Sequence, residues 1–201
     1  MILSARQVLE AIKAKGYKTF ETKHPFDLNI FGIRSASTVP NRFDDVIGCV
    51  YRDKRNEWKI RTWSATTDPG TYWLENYRSD RVSGTAILVP GQYRGVYKLD
   101  HHAGKYLALC QRNGPVRVYR DSNRDQVLDW TGDTREGMYG INIHRASLSG
   151  STTVDRWSAG CQVFASPFDF AELMQLAIAQ LTIHPTYDSF TYTLLEEGDL
   201  R

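Results

Sequence analysis

One cysteine and one histidine in the second half of the chain have the residue types of a thiol nucleophile and its base. His144 ends the apolar stretch 141–143, and Cys161 follows the small residues of 158–160. A thiol needs a base nearby to become a thiolate at neutral pH, and histidine is the usual one. The pattern predicts a strand carrying the histidine at its end, a surface loop, and a tight turn that presents the cysteine.

The other two cysteines lie in a different setting. Cys49 and Cys110 sit in apolar, strand-like segments, which are typical of buried, inert thiols, whereas Cys161 alone has polar and small neighbours. Three cysteines also provide no disulfide framework. The contrast favours a reactive Cys161, although a buried structural thiol and a hydrogen-bonded core histidine remain the alternative interpretation of the pair.

The stretch 139–164 resembles the signature of the L,D-transpeptidase catalytic domain family, which is a histidine, a variable loop and then Ser/Thr-His-Gly-Cys. His144 matches the first part, and Ser-Ala-Gly-Cys at 158–161 matches the second. Two positions depart from that pattern, since Ala159 replaces the family's histidine and Val163 replaces its arginine. The strings Asn-Ile-His-Arg-Ala-Ser and Ser-Ala-Gly-Cys-Gln-Val-Phe also resemble a group of bacteriophage-encoded proteins.

Members of this family are cysteine enzymes of bacterial peptidoglycan, and the resemblance implies their mechanism. His144 would take the proton of Cys161, and the thiolate would attack an amide of a stem peptide between an L-centre and a D-centre, or one of the D,D-cross-link type, forming a thioester. The carbonyl of Arg145 would orient the imidazole, and Ser158 would shape the turn. The oxyanion would be held by the backbone N–H groups of Ala159, Gly160 and Cys161. No cofactor is required.

The resemblance also indicates which residues would contact the substrate. Arg145 and Arg156 are the natural replacements for the missing family arginine, because a guanidinium can bind a carboxylate with two hydrogen bonds. Together with Arg156, His102 is expected to contact the substrate. Since Ala159 and Val163 alter the usual transpeptidase site, hydrolysis by a lytic endopeptidase or carboxypeptidase is favoured over cross-linking.

Two other functions stay open. The same fold would also suit a catalytically inactive module that binds cell wall or builds a virion. A metal-dependent peptidase would need a set such as His102, His144 and Asp133, but no recognised ligand spacing supports that set.

A run of oxygen-bearing side chains at 121–129 indicates a possible structural calcium site. It matches positions 1, 3, 5 and 9 of an EF-hand-type loop, with Asp121, Asn123, Asp125 and Asp129. The loop pattern wants glycine at position 6 and an acid at position 12, where this chain has Gln126 and Gly132. The alternative is a solvated loop whose Asp and Asn side chains bond their own backbone.

The charge and the apolar content of the chain limit the kinds of partner that are expected. The formal net charge of the 201 residues is +2 and no basic run is present, so nucleic acid is not expected as a partner. No apolar stretch reaches the roughly 18 residues that cross a membrane, and the N-terminus lacks the pattern of a signal peptide. We therefore expect synthesis in the cytoplasm and action on the cell wall after release or delivery, with peptidoglycan stem peptides as substrate. The oligomeric state is left open.

The elements that must position these residues are mainly strands. Short apolar and aromatic segments separated by turn residues predict a β-sandwich or barrel-like core of the L,D-transpeptidase type. Capping residues predict two helices, 5–15 after Ser4 and 167–181 after Ser166, the second following the cysteine. Residues 1–25 are expected to form a helical segment packed on a catalytic domain of residues 26–201. The predicted strands are 28–33, 46–51, 58–63, 85–89, 95–99, 105–110, 116–119 and 190–195.

Overall fold

Eight strands of the chain close into a barrel, and three more form a small separate sheet. The structure is a computed structural model and describes residues 3–200. The elements in chain order are α1 (Ala5–Ala14), β1 (Asn29–Arg34), β2 (Asp45–Arg52), β3 (Trp58–Thr66), α2 (Thr71–Asn76), β4 (Thr85–Leu88), β5 (Gly91–His102), β6 (Tyr106–Gln111), β7 (Val116–Asp121), β8 (Arg135–Gly137), β9 (Ile143–Arg145), β10 (Gln162–Phe164), α3 (Pro167–Ile183), β11 (Phe190–Glu196) and a final 3-10 turn (Glu197–Leu200).

The barrel order is β1-β11-β5-β6-β9-β10-β3-β2, and the small sheet has the order β4-β7-β8. Two neighbouring pairs, β1 with β11 and β9 with β10, are parallel, and the other ladders are antiparallel. The mainly β prediction is therefore confirmed. The finer assignment to an L,D-transpeptidase core stays a prediction.

Helix α1 packs on the outside of the barrel. Its first turn is closed by a capping box between Ser4 and Gln7, which satisfies backbone N–H groups that a helix start leaves free. The buried face of the helix joins one cluster with residues of β1, β2 and β11: Val8, Leu9, Ala11, Ile12, Phe31, Ile33, Val50 and Leu195. The helix predicted over 5–15 is thus confirmed, whereas the division into segments 1–25 and 26–201 stays a prediction.

Successive side chains of β2 point to opposite faces of the sheet. Val46 and Val50 face the α1 cluster, whereas Ile47, Cys49 and Tyr51 join the main core. Since Cys49 is completely buried there and Cys110 lies in the same core, both have the inert setting that their sequence context indicated.

Helix α3 packs against the main core. Ser166 caps its start by accepting a hydrogen bond from the N–H of Asp169, as its sequence predicted. Its buried side chains include Phe170, Leu173, Met174 and Ala177. Ile178, which follows Ala177 in the helix, is 48% exposed. Gln180 is buried instead, because its Oε1 accepts the N–H of Leu28 at 3.0 Å.

The structure departs from the predicted elements in three places. Strand β5 begins at Gly91 and ends at His102, so it is longer than the strand predicted over 95–99, and the short helix α2 was not predicted. His144 lies in the middle of β9 and not at the end of a strand over 141–143. Strands of three residues such as β9 and β10 are too short to show an alternating pattern, so tertiary pairing decides where they begin. Among residues 3–200, no helix has the length and apolar character needed to cross a membrane.

Candidate active site

Strands β9 and β10 bring the candidate base and nucleophile onto neighbouring segments of the barrel. Val163 pairs with His144 in the parallel ladder, and the N–H of Gln162 donates to the carbonyl of Asn142 at 2.9 Å. Cys161 directly precedes β10 and therefore lies level with Asn142, two residues before His144. The two residues are 17 positions apart in sequence, but the β9–β10 ladder joins the ends of the segment between them and brings them together.

The imidazole of His144 is buried and has a defined orientation. Its Nδ1 lies 2.8 Å from the carbonyl oxygen of Arg145, the group named above as its orienting partner. A carbonyl only accepts, so Nδ1 carries the proton and Nε2 is left with a free lone pair. Tyr106 donates its hydroxyl to the same carbonyl at 3.2 Å. Burial, and then the neighbouring His102, lower the pKa of His144 to about 3.

The thiol of Cys161 contacts backbone groups of the preceding segment. Its Sγ accepts the N–H of Asn142 at 3.4 Å and donates to the carbonyl of Gly140, also at 3.4 Å. Within residues 3–200, Sγ makes no hydrogen bond with His144. Burial raises the pKa of Cys161 to about 11, while the N–H of Asn142 acts in the opposite direction. At neutral pH the resting pair is therefore a neutral thiol near a neutral imidazole.

Ser158 closes the turn that carries the cysteine. Its hydroxyl donates to the carbonyl of Cys161 at 2.8 Å and accepts the N–H of Gly160 at 3.1 Å. Gly160 has a φ of +116°, and a Cβ there would collide with the carbonyl of Ala86, so the turn requires glycine. Of the three expected oxyanion donors, the N–H of Gly160 is engaged inside the turn. Those of Ala159 and Cys161 have no acceptor in the described part of the chain.

The two candidate arginines and His102 take separate places. The guanidinium of Arg145 lies 4.1 Å from the ring centroid of Tyr106, and that of Arg156 lies 4.0 Å from the ring centroid of Tyr72 in α2. His102 belongs to the site, because its ring stacks on that of His144 with centroids 4.0 Å apart. The position of the missing family arginine is filled by the fully buried Val163.

Sequence reasoning missed two residues of the site. Tyr106 supports the carbonyl that orients His144, and Asn142 touches both the thiol and His102. Asn142 was within reach of sequence analysis, since a polar residue interrupts an apolar stretch two positions before His144. No local signal marks Tyr106, because β5 and β6 must pair before it meets β9. We call His102, His144, Asn142 and Tyr106 the imidazole cluster.

A second buried polar group lies beneath the cysteine turn. Gln162 donates to the carbonyls of Thr67 and Gly160, at 3.3 and 3.2 Å, and accepts the hydroxyl of Tyr192 at 2.9 Å. Gln162 thus ties the turn to β11 and to the segment after β3. The Gln162 side chain is completely buried, so the carbonyl of Gly160 would otherwise lack a partner, whereas that of Thr67 also accepts from Arg34.

Thr67 belongs in turn to a cluster of buried charges. Arg34 pairs with Asp68 at 2.9 Å and donates to the hydroxyl and the carbonyl of Thr67 and to the carbonyl of Leu88. Asp45 accepts the N–H and hydroxyl of Thr67, at 2.6 and 2.8 Å. Burial raises the pKa of Asp68, and Arg34 opposes that change. We call Arg34, Asp45, Thr67 and Asp68 the ion-pair cluster.

The loop predicted to bind calcium folds on itself. The amide nitrogen of Asn123 donates to the carboxylates of Asp125 and Asp129, each at 2.8 Å, and the N–H of Asp129 donates to Asp121 at 3.1 Å. Asp121 is fully buried and one of its oxygens has no partner in the described chain. Burial, and then the neighbouring carboxylates, raise its pKa to about 6. Calcium binding by this loop stays a prediction.

A metal-peptidase site would require three ligands to converge. In the part of the chain that the structure describes, no group of three or more His, Cys, Asp or Glu side chains is arranged to hold a metal ion. His102 and His144 stack face to face, and each uses its Nδ1 for a hydrogen bond with a neighbour.

Comparison with known proteins identifies no relative of this chain. The chain matches no family model, no curated protein and no solved structure. Any functional assignment of this chain therefore depends on the chemistry of its own residues.

Proposed function

We propose that the protein is a cysteine-dependent peptidoglycan enzyme that hydrolyses an amide of stem peptides. The proposal is supported first by the orientation of His144, whose Nδ1 is held by the carbonyl of Arg145, leaving Nε2 to accept a proton on the strand next to Cys161. It is also supported by the free N–H groups of Ala159 and Cys161, which would donate to an oxyanion. The resemblance of 139–164 to L,D-transpeptidases supplies the substrate class.

The proposed reaction has two halves. In the first, the proton of the Cys161 thiol moves to Nε2 of His144 while Sγ bonds to the scissile carbonyl carbon. The tetrahedral intermediate collapses to a thioester, the C–N bond breaks, and the amine leaves with the proton held by His144. In the second, His144 takes a proton from water, the hydroxide attacks the thioester, and the acid product leaves as the proton returns to sulfur.

An amine in place of water would make the same thioester a cross-link. We favour hydrolysis because Ala159 and Val163 replace two side chains of the transpeptidase pattern. The enzyme would reach the wall after release from the cell or as part of a virion. A lytic, endolysin-like role of a bacteriophage protein is consistent with that route.

A specific observation favours a second candidate, the inactive wall-binding or virion module. The pKa of Cys161 is raised to about 11 and that of His144 is lowered to about 3, so the resting site holds almost no thiolate. A working enzyme must therefore form the thiolate only as substrate arrives. Labelling with a thiol-reactive electrophile near neutral pH separates the two candidates: the enzyme is expected to label at Cys161 faster than at Cys49 and Cys110.

The deciding experiment is digestion of purified peptidoglycan, with the muropeptides identified by mass spectrometry. We expect the wild type to remove a cross-link or a terminal residue and Cys161→Ala to remove none. Cys110→Ala is the matched control, because it makes the same substitution at a thiol outside the site and is expected to keep the activity.

The other outcomes point to other functions. A gain of cross-linked muropeptides that depends on Cys161 would identify a transpeptidase. Activity that survives Cys161→Ala and disappears with a chelator would identify a metal peptidase. Folded wild-type protein that leaves every muropeptide unchanged would contradict the catalytic proposal on this substrate and favour the binding module.

A further inference from the structure

His102 lies closer to the candidate base than its position in sequence suggests. It ends β5, pairs with Tyr106 across the β5–β6 hairpin, and stacks on His144 with ring centroids 4.0 Å apart and ring planes 20° apart. The neighbouring His101 is exposed, in keeping with the alternation of side chains along a strand.

The hydrogen bonds of Asn142 define the state of His102. The Oδ1 of Asn142 accepts the N–H of Gln111 at 2.9 Å, so its Nδ2 is the group that faces His102, at 3.0 Å from Nδ1. An amide nitrogen only donates, so Nδ1 of His102 accepts and its proton lies on Nε2. The same Asn142 offers its backbone N–H to Sγ of Cys161 at 3.4 Å.

We infer that His102 is a positioning residue of the Cys161–His144 site, bracing the ring of the base and, through Asn142, the N–H that faces the thiol. This inference rests on the proposed function. One hydrogen bond at Nδ1 leaves the His144 ring free to swing about that bond, and a parallel ring at 4.0 Å removes this freedom. Reaction rates depend steeply on such placement, because the attacking and accepting atoms must meet in a narrow geometry.

The protonation state of His102 also affects the ability of His144 to accept a proton. Burial, and then the positive charges of Arg112, Lys105 and Arg145, lower the pKa of His102. A neutral His102 stacks on His144 without repelling the proton that His144 must accept. A protonated His102 would oppose that proton at a distance of 4.0 Å.

The test uses two readouts that do not depend on peptidoglycan. The first is the rate at which iodoacetamide alkylates Cys161 at pH 7, followed by mass spectrometry of the labelled peptide. The second is the titration midpoint of the His144 imidazole, followed by NMR. They are compared for wild type, His102→Ala, His102→Phe and the adjacent control His101→Ala.

The inference predicts that His102→Ala slows alkylation about tenfold and moves the His144 midpoint upward, because a neighbouring ring that can become cationic is gone. His102→Phe keeps a stacking face, so it should regain most of the alkylation rate while keeping the shifted midpoint. His101→Ala should match the wild type in both. A residue that served only stability would not show rescue by Phe together with a moved midpoint.

Failure of this inference is distinct from failure of the proposed function. Alkylation of His102→Ala at the wild-type rate with an unmoved His144 midpoint would overturn the positioning role, whether or not peptidoglycan is cleaved. If wild type leaves peptidoglycan intact but the alkylation and titration patterns appear as expected, the positioning role stands and the substrate assignment is wrong. His102→Phe carries the test if His102→Ala does not fold.

Discussion

The barrel holds two buried polar clusters that use their hydrogen-bonding groups in opposite ways. In the ion-pair cluster, all three guanidinium nitrogens of Arg34 have acceptors among Thr67 and Leu88, and the charge is paired with Asp68. In the imidazole cluster, Nδ1 of His144 and of His102 is engaged, but neither Nε2 has a partner in the described residues.

The difference separates a structural role from a chemical one. A buried charge is costly unless paired, so the cluster in which the Arg34 guanidinium is fully hydrogen-bonded and paired with Asp68 fixes the geometry of the chain around it. A neutral imidazole costs less to bury, and an unused Nε2 is the atom that proton transfer needs. Gln162 connects the ion-pair cluster to the cysteine turn, since it bonds Thr67 on one side and Gly160 on the other.

The largest expected effect comes from breaking the ion-pair cluster. Arg34→Met would leave Asp68 without its cation and the carbonyl of Leu88 without its donor, and the carbonyl of Thr67 would keep only Gln162. We expect the free energy of unfolding to fall by about 3–5 kcal/mol, the cost of leaving a buried charge unpaired. Urea denaturation measures this, and Arg55→Met, at an exposed turn, is the control expected to change by about 0.5 kcal/mol or less. A loss below that of a surface substitution would show that the cluster contributes nothing to the fold.

The second largest expected effect is a loss of stability in acid that depends on His144 of the imidazole cluster. The pKa of His144 is about 3 in the folded protein and about 6.5 in an unfolded chain, so between these values only the unfolded state binds the proton. The stabilisation is therefore complete above pH 6.5 and is lost as the pH falls towards 3. At about 1.36 kcal/mol per pH unit, the wild type should lose about 2.5 kcal/mol more than His144→Phe between pH 6 and 4.

The measurement is urea denaturation of both proteins at several pH values. His144→Gln replaces His144→Phe if the latter cannot be purified. Parallel pH curves for wild type and variant would mean that His144 is already protonated when folded, and the contrast between a charged and a neutral cluster would fail.

The smallest expected effect tests the link between the ion-pair cluster and the cysteine turn. Gln162→Leu would leave the carbonyl of Gly160 and the hydroxyl of Tyr192 unpaired and the carbonyl of Thr67 with Arg34 as its remaining donor, which should cost about 1–3 kcal/mol. Because the cysteine turn rests on Gln162, alkylation of Cys161 should slow as well. Gln126→Leu, at an exposed loop, is the matched control. Lost stability with an unchanged alkylation rate would show that the turn is held by Ser158 alone.

Much of the fold was predictable because local forces specify it. Ser4 and Ser166 cap helices in sequence-local ways, and runs of apolar residues with turn residues between them marked eight of the strands. The Gly160 requirement was also visible, since small residues before a cysteine indicate a tight turn. A strand at His144 was predicted, but not the bounds of β9, and the three-residue strands β8 and β10 and the helix α2 were not predicted, because segments this short have too few residues for a pattern.

The sequence by itself determined the β class, the two long helices, and the contrast between Cys161 and the two core cysteines. Only the tertiary structure decided which groups meet. The ladder between β9 and β10 places Cys161 beside the His144 strand, and the β5–β6 hairpin delivers His102 and Tyr106 to it. These contacts join residues distant in sequence, and their geometry follows from strand pairing and register, which no local pattern encodes.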